Sequence, residues 1–115
     1  MSNSTRKYSI STESVTGEED SPGAAAISAE DFKIQAADMP IHMQRAALNG
    51  AIQACRLYTT EKHIAESIKQ DFDQMFGATW HCIVGRNWGS CVTHSKQCYI
   101  RILYKDFTIL LYKST

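Results

Sequence analysis

Four cysteines and four histidines are the residues of this chain most able to do chemistry: Cys55, Cys82, Cys91 and Cys98, with His42, His63, His81 and His94. Thiolate and imidazole are the usual ligands of zinc, but zinc sites draw ligands from short turns, at spacings such as C-x2-C. Here successive cysteines stand 27, 9 and 7 positions apart. His81 and Cys82 are adjacent in a stretch that reads as strand, so they point to opposite faces. No metal site is expected. A cysteine with a histidine as base could act as a nucleophile, but nothing in the sequence pairs two of them, and a thiol in a strand ordinarily serves as small buried volume. Gly85-Arg86-Asn87-Trp88-Gly89 is glycine-rich, yet it lacks the Lys-Ser/Thr of a phosphate-binding loop and opens no helix. Lys96 and Arg101, near Trp88 and Tyr99, have the composition of a base-stacking surface, but solvated strand charges account for them. The strand region holds one acid, Asp106, so no carboxylate pair is available for acid–base work. The chain reads as non-catalytic, without a cofactor.

The charge balance agrees. Twelve bases and twelve acids cancel over 115 residues, whereas non-specific nucleic-acid affinity needs a surplus of Lys and Arg. The longest apolar runs, Ala24–Ile27 and Ile109–Tyr112, are far short of the ~18–20 residues of a membrane span. Arg6 and Lys7 are followed by Ser, Thr and Glu rather than an apolar run, so no secretory signal is expected. The cysteines are accordingly read as reduced thiols of a cytosolic protein.

The elements that must position these residues begin near residue 30. Residues 1–30 hold ten Ser or Thr and two bases against five acids, net −3. Such a segment cannot bury enough apolar area to offset its ordering entropy, and a disordered tail is expected. Residues 31–115 carry ten bases and seven acids, net +3, and form one domain. Its size allows burial of only about 60–65% of the unfolded surface.

Phe32–Ala36 reads as a first strand. Asp38 and Pro40 read as a helix start, with the proline in the first turn. Ile41, Leu48, Ile52 and Cys55 then recur at helical spacing, predicting a helix over 40–57 with Asn49-Gly50 as a weak point. Thr59 and Thr60 offer caps for a second helix, whose face is Ile64, Ile68, Phe72, Met75 and Phe76 and whose end is Gly77. The period then changes to two. Thr79–Val84, Trp88–His94, Cys98–Tyr104 and Phe107–Lys113 are expected strands, with turns at Gly85-Arg86-Asn87 and Lys105-Asp106. The fold class is α+β, two packed helices on an antiparallel sheet.

Alternation makes each long strand apolar on both sides. Trp80, Cys82 and Val84 oppose His81 and Ile83; Cys98, Ile100, Ile102 and Tyr104 oppose Tyr99 and Leu103; Phe107, Ile109 and Leu111 oppose Leu110 and Tyr112. Two adjacent helices cover one face, so a second copy of the chain is expected on the other; the alternative is one helix on each face. Ser90–His94 is short and polar, a composition suited to a sheet edge, where an unpaired backbone row can template another chain.

The stretch TWHCIVGRNWGS at 79–90 resembles the signature of the small cytoplasmic dynein light chains, the eight-kilodalton class. Further marks are ADM at 37–39, EKHIA at 61–65, IKQDFD at 68–73, VTH at 92–94 and ILLYKS at 109–114. The resemblance spans about residues 32–115 and makes the N-terminal segment an extension. It implies a strand-swapped homodimer in which each chain lends about Trp88–Thr93 to its partner's sheet. It also implies two grooves at the dimer interface, each taking a short disordered client segment, including that of the dynein intermediate chain, as an added strand. Two grooves favour two-chain clients through effective concentration. The implied role is that of an accessory component of the microtubule motor dynein, in the cytoplasm on the cytoskeleton. The alternative is a dedicated subunit of an axonemal or other dynein complex without general client exchange.

Carried onto this chain, the resemblance assigns Glu61 and Lys62 at the start of the second helix to a client glutamine. It assigns Gly89, Ser90, Val92, Thr93 and His94 to the groove strand, and Tyr99 to an aromatic position beside it. His81, Lys62, Thr93 and Ser114 fall at positions near the dimer interface. The chain also departs from the family. Trp88 stands for the usual phenylalanine, Cys91, Arg101 and Leu103 for groove tyrosines, Cys98 for a histidine, and Lys105-Asp106 for a Gly-Gln turn. The backbone edge is expected to survive these changes, with Arg101 favouring acidic clients.

Overall fold

Asp73 shows how the sequence joins its helical half to its sheet. Its Oδ1 accepts from the Trp80 amide at 2.7 Å while Oδ2 pairs with Lys69 one turn earlier. The second helix is thereby tied to the strand that follows it. The structure, a computed structural model, describes residues 27–86, 89–90 and 92–114; the remaining N-terminal segment expected to be disordered lies outside them. Ile27 packs against the core. A single 3-10 turn, Ala29–Asp31, is capped by the Ser28 side chain and leads into β1 (Phe32–Asp38).

Helix α1 spans Ile41–Leu57. Pro40 occupies the cap rather than the first turn, and no side chain caps the helix; Asp38 ends β1 instead and accepts from the Gln97 amide. The Gln44 side chain donates to the Met39 carbonyl at 2.7 Å beside this start. The buried stripe is Met43, Ala47, Ala51 and Ala54, not the Ile41-to-Cys55 line expected. Ile41 is 58% exposed, while Leu48, Ile52 and Cys55 flank the core. Alanines on the contact line let the helix backbone approach α2 and the sheet closely, and the bulkier side chains fill the margins.

Helix α2 spans Glu61–Phe76 and follows the expectation closely. Thr60 caps it by accepting from the His63 amide, and Gly77 ends it at φ 81°, where a side chain would be strained. Ile64, Ile68 and Phe72 are buried; of the two residues expected to extend that face, Phe76 packs against the core, while Met75 is 39% exposed.

Three further strands complete the sheet: β2 (Trp80–Arg86), β3 (Tyr99–Tyr104) and β4 (Phe107–Lys113). All pairs are antiparallel, in the order β1-β3-β4-β2. Gly85 and Arg86, expected in a turn, remain in β2 opposite Thr108 and Phe107. The Lys105-Asp106 turn joins β3 to β4 as expected, with Lys105 at φ 57°. Residues 89, 90 and 92–94, expected within a strand, lie in none; the single chain offers this stretch no ladder.

Both helices lie on one face of the sheet. One core unites Ala47, Ala51 and Ala54 of α1, Ile64, Ile68 and Phe72 of α2, and Trp80, Ile100, Ile102, Ile109 and Leu111 of the strands. Phe72 meets Trp80 edge-on at 4.9 Å, and Phe32 stacks on Tyr104 at 4.2 Å. No described helix is long and apolar enough to cross a membrane.

Candidate functional site

The second face of the sheet follows from strand alternation. It carries His81 and Ile83 from β2, Tyr99, Arg101 and Leu103 from β3, and Thr108, Leu110 and Tyr112 from β4. Its middle is covered within one chain, since Leu110 and Thr108 are 0% and 4% exposed. The expectation that a second copy is needed to bury this whole face is therefore too strong. Ile83 remains 44% exposed at the margin. Among the described residues no strand pairs with the outer edge of β2. Its backbone presents donors and acceptors there that another strand can complete.

The other edge is unlike it. Pairing of β1 with β3 shifts register between Ile34 and Ala36, which leaves Gln35 as a bulge. Gln35 Oε1 accepts from Arg101 Nε at 2.8 Å, and Arg101 Nη1 donates to Ser90 Oγ at 2.7 Å. Residues 95–98 are pinned to the end of β4. The Ser95 amide donates to the Lys113 carbonyl, the Lys113 amide to the Cys98 carbonyl, and Ser95 Oγ to the Ser114 carbonyl. Between these points His94 stacks on Tyr99 with centroids 4.7 Å apart. Its Nδ1 lies 4.0 Å from Asp38, an ion pair only when the ring is protonated.

The residues assigned by sequence fall into two groups in a single chain. His81 (packed on Tyr112 at 5.3 Å), Ser114, His94 and Tyr99 collect where β2 begins and β4 ends. Glu61 and Lys62 are exposed at the start of α2, which runs back along β2 and so lies toward the opposite end of that strand. Helix geometry gives their amides no intrahelical acceptor. Gly89, Ser90 and Thr93 are exposed, and Val92, Arg101 and Leu103 half-buried. Trp88 and Cys91 lie outside the described residues.

A cavity of about 260 Å³ borders the α2 start, lined by Cys55, Tyr58, Ile64, Val84 and Phe107 among others, with Glu61 at its boundary. Sequence reasoning missed it, because its lining is drawn from both helices and three strands that only the tertiary fold brings together. Its thiol is not a nucleophile in waiting: burial pushes Cys55 up to about 11. Burial raises Cys82 further, with the neighbouring Cys55 adding to the shift. Protonated thiols are poor nucleophiles and poor metal ligands. Among the described residues no three His, Cys, Asp or Glu converge as a metal cage.

Comparison with known proteins adds an independent line. The family model described as dynein light chain type 1 matches residues 31–114. A protein of Emericella nidulans (strain FGSC A4), "Dynein light chain, cytoplasmic", is 46% identical over 82 residues, covering 71% of this chain and 87% of that one. Among solved structures, the dynein light chain-like domain of the Fasciola hepatica calcium binding protein FhCaBP2 superposes with a TM-score of 0.63 at 18% identity, covering 73% of this chain and 91% of that domain. The DLC-like domain of CsTAL3 gives 0.59 at 17% identity, covering 72% and 92%. At these identities the two structures speak for the fold alone.

Proposed function

The chain belongs to the dynein light chain family, and from that premise we propose that it is a non-catalytic accessory subunit of the microtubule motor dynein, working in the cytoplasm as a homodimer that clamps short client segments. The observation that carries the reading is the open outer edge of β2, a regular seven-residue strand with Ile83 exposed beside it. The segment around Trp88–Thr93 of a second copy completes that edge, and the reciprocal exchange closes the pair. A client strand then adds beside the exchanged segment. Main-chain hydrogen bonds supply affinity and alternate side chains select among clients.

The two groups of site residues, held apart in one chain, are joined across two in this reading. Gly89, Ser90, Cys91, Val92, Thr93 and His94 form the groove strand, and Tyr99, Arg101 and Leu103 its floor. Glu61 and Lys62 cap the client from α2 through their outward amides and side chains. His81, Lys62, Thr93 and Ser114 lie along the seam. The clients include the dynein intermediate chain, and the guanidinium of Arg101 favours segments with a carboxylate in reach.

The test is a titration of a dynein intermediate-chain peptide into the purified chain by calorimetry, with oligomeric state followed by sedimentation equilibrium. Two peptides per dimer with a dissociation constant tighter than millimolar is the expected result. A chain that stays monomeric at every concentration, or one that ignores the peptide and a panel of disordered acidic peptides alike, refutes it. Binding of one partner class only identifies a dedicated structural subunit instead.

A further inference from the structure

Besides its place in the proposed groove, the Ser90 hydroxyl has a fixed guanidinium for a partner. In the single chain Ser90 is exposed and lies in neither helix nor strand, backbone that a modifying enzyme can seat before the segment pairs with a second copy. Its Oγ meets Arg101 Nη1 at 2.7 Å. That arginine is not a loose surface cation: it is half-buried on β3, and its Nε is fixed by the bulged Gln35 at 2.8 Å. Bulges re-aim side chains, and this one presets the guanidinium plane. Two separate parts of the chain, Gln35 and Ser90, thus converge on one planar fork, whose geometry suits an oxyanion better than a hydroxyl.

We propose that Ser90 is a phosphorylation site and that Arg101 is the group built to hold its phosphate. The donor is ATP, acting through a protein kinase. The Ser90 Oγ–P bond forms as the bond from the γ-phosphorus to the bridging oxygen breaks, the hydroxyl proton passes to the kinase's base, and ADP leaves. The product places three acceptor oxygens and nearly two negative charges where one neutral hydroxyl stood. Residues 95–98 are already bonded to the end of β4. A phosphate gripped by Arg101 fastens Ser90 as well, so the modified chain keeps both Ser90 and residues 95–98 on its own sheet. This consequence rests on the strand-addition reading: a segment held at home is withdrawn from partner and clients.

Three preparations of the full chain test the proposal: unmodified, phosphoserine encoded at position 90, and the same phosphoserine with Arg101→Gln. Phosphorus NMR titration is expected to show the second phosphate ionisation below the usual value of about 6 in the first phosphorylated form and restored in the Arg101→Gln form. Identical titration in both overturns the pairing. Incubation with eukaryotic cytosolic extract and γ-labelled ATP is expected to label the unmodified chain but not Ser90→Ala; no Ser90-dependent label overturns the modification. In sedimentation equilibrium the phosphate is expected to weaken self-association about tenfold, the effect of one new charge-assisted bond, with Arg101→Gln restoring it. Unchanged association overturns the regulatory consequence. An unmodified chain that never self-associates defeats the strand-addition reading alone, since the phosphorus titration decides the pairing without it.

Discussion

Asp73 is the residue whose chemistry is most tightly bound to the fold. Burial alone raises a carboxyl, but here the bonds from Lys69 and the Trp80 amide outweigh it, helped by the charges of Lys69 and His81, and the carboxyl ends below its usual range. A depressed folded value means that ionised Asp73 stabilises the native state above the unfolded value of about 3.9 and that this contribution is lost as pH falls through the lowered folded value. Asp73→Asn is expected to cost about 1–2 kcal/mol at neutral pH, the roughly 1.5–3 kcal/mol of a hydrogen bond to a charged group reduced by solvent screening of this partly exposed pair. In urea unfolding the gap between wild type and variant should close as pH drops from 6 toward 2; a gap that persists at the acid end counts against this account. Lys105 is a second residue under constraint, held at φ 57° in the hairpin turn. Left-handed backbone costs an ordinary side chain about 1–2 kcal/mol, so Lys105→Gly is expected to raise stability by roughly 1 kcal/mol after glycine's greater unfolded entropy is subtracted. Thermal unfolding checks it.

At the scale of elements, α1 tolerates the expected weak point. Gly50 sits inside the helix with nothing within 4 Å of where a Cβ would stand. Gly50→Ala is therefore expected to stabilise the chain by about 0.5–1 kcal/mol, read as a higher urea midpoint at unchanged slope. Much of the architecture was legible. The Thr60 and Gly77 signals bound α2, and the alternation of the later strands picked out the residues that pack with the helices: Trp80, Cys82 and Val84, Ile100, Ile102 and Tyr104, and Phe107, Ile109 and Leu111. Local chemistry failed where a distant partner decided the outcome. Gly85 and Arg86 look like a turn, yet a ladder to Thr108 and Phe107 keeps them extended, with Arg86 paired to Asp106 and its guanidinium 4.6 Å above Phe107. Likewise Ile41 is the larger apolar residue, but the orientation of α1 buries Met43 and the alanines instead. The site was less legible than the fold. Spacing could identify a polar edge candidate, but not that a bulge at Gln35 would orient Arg101 toward Ser90.

At the scale of the molecule, helix cover and edge exposure divide the labour. The helix face builds a self-sufficient core, so changes at the β2 margin should alter association more than folding. Ile83→Lys places a charge at the open edge and is expected to weaken self-association at least tenfold while shifting the melting temperature little at protein concentrations where the wild type is monomeric. Analytical ultracentrifugation paired with calorimetry separates the two effects. The unequal edges have a further consequence. A sheet with two regular, open rims can stack copies without end, which is the geometry of a fibre. In this sheet the bulge spoils one rim, and the reciprocal exchange proposed above would consume the other on both copies at once. Growth is then expected to terminate at a discrete particle, and prolonged incubation at high concentration should leave thioflavin fluorescence and light scattering flat.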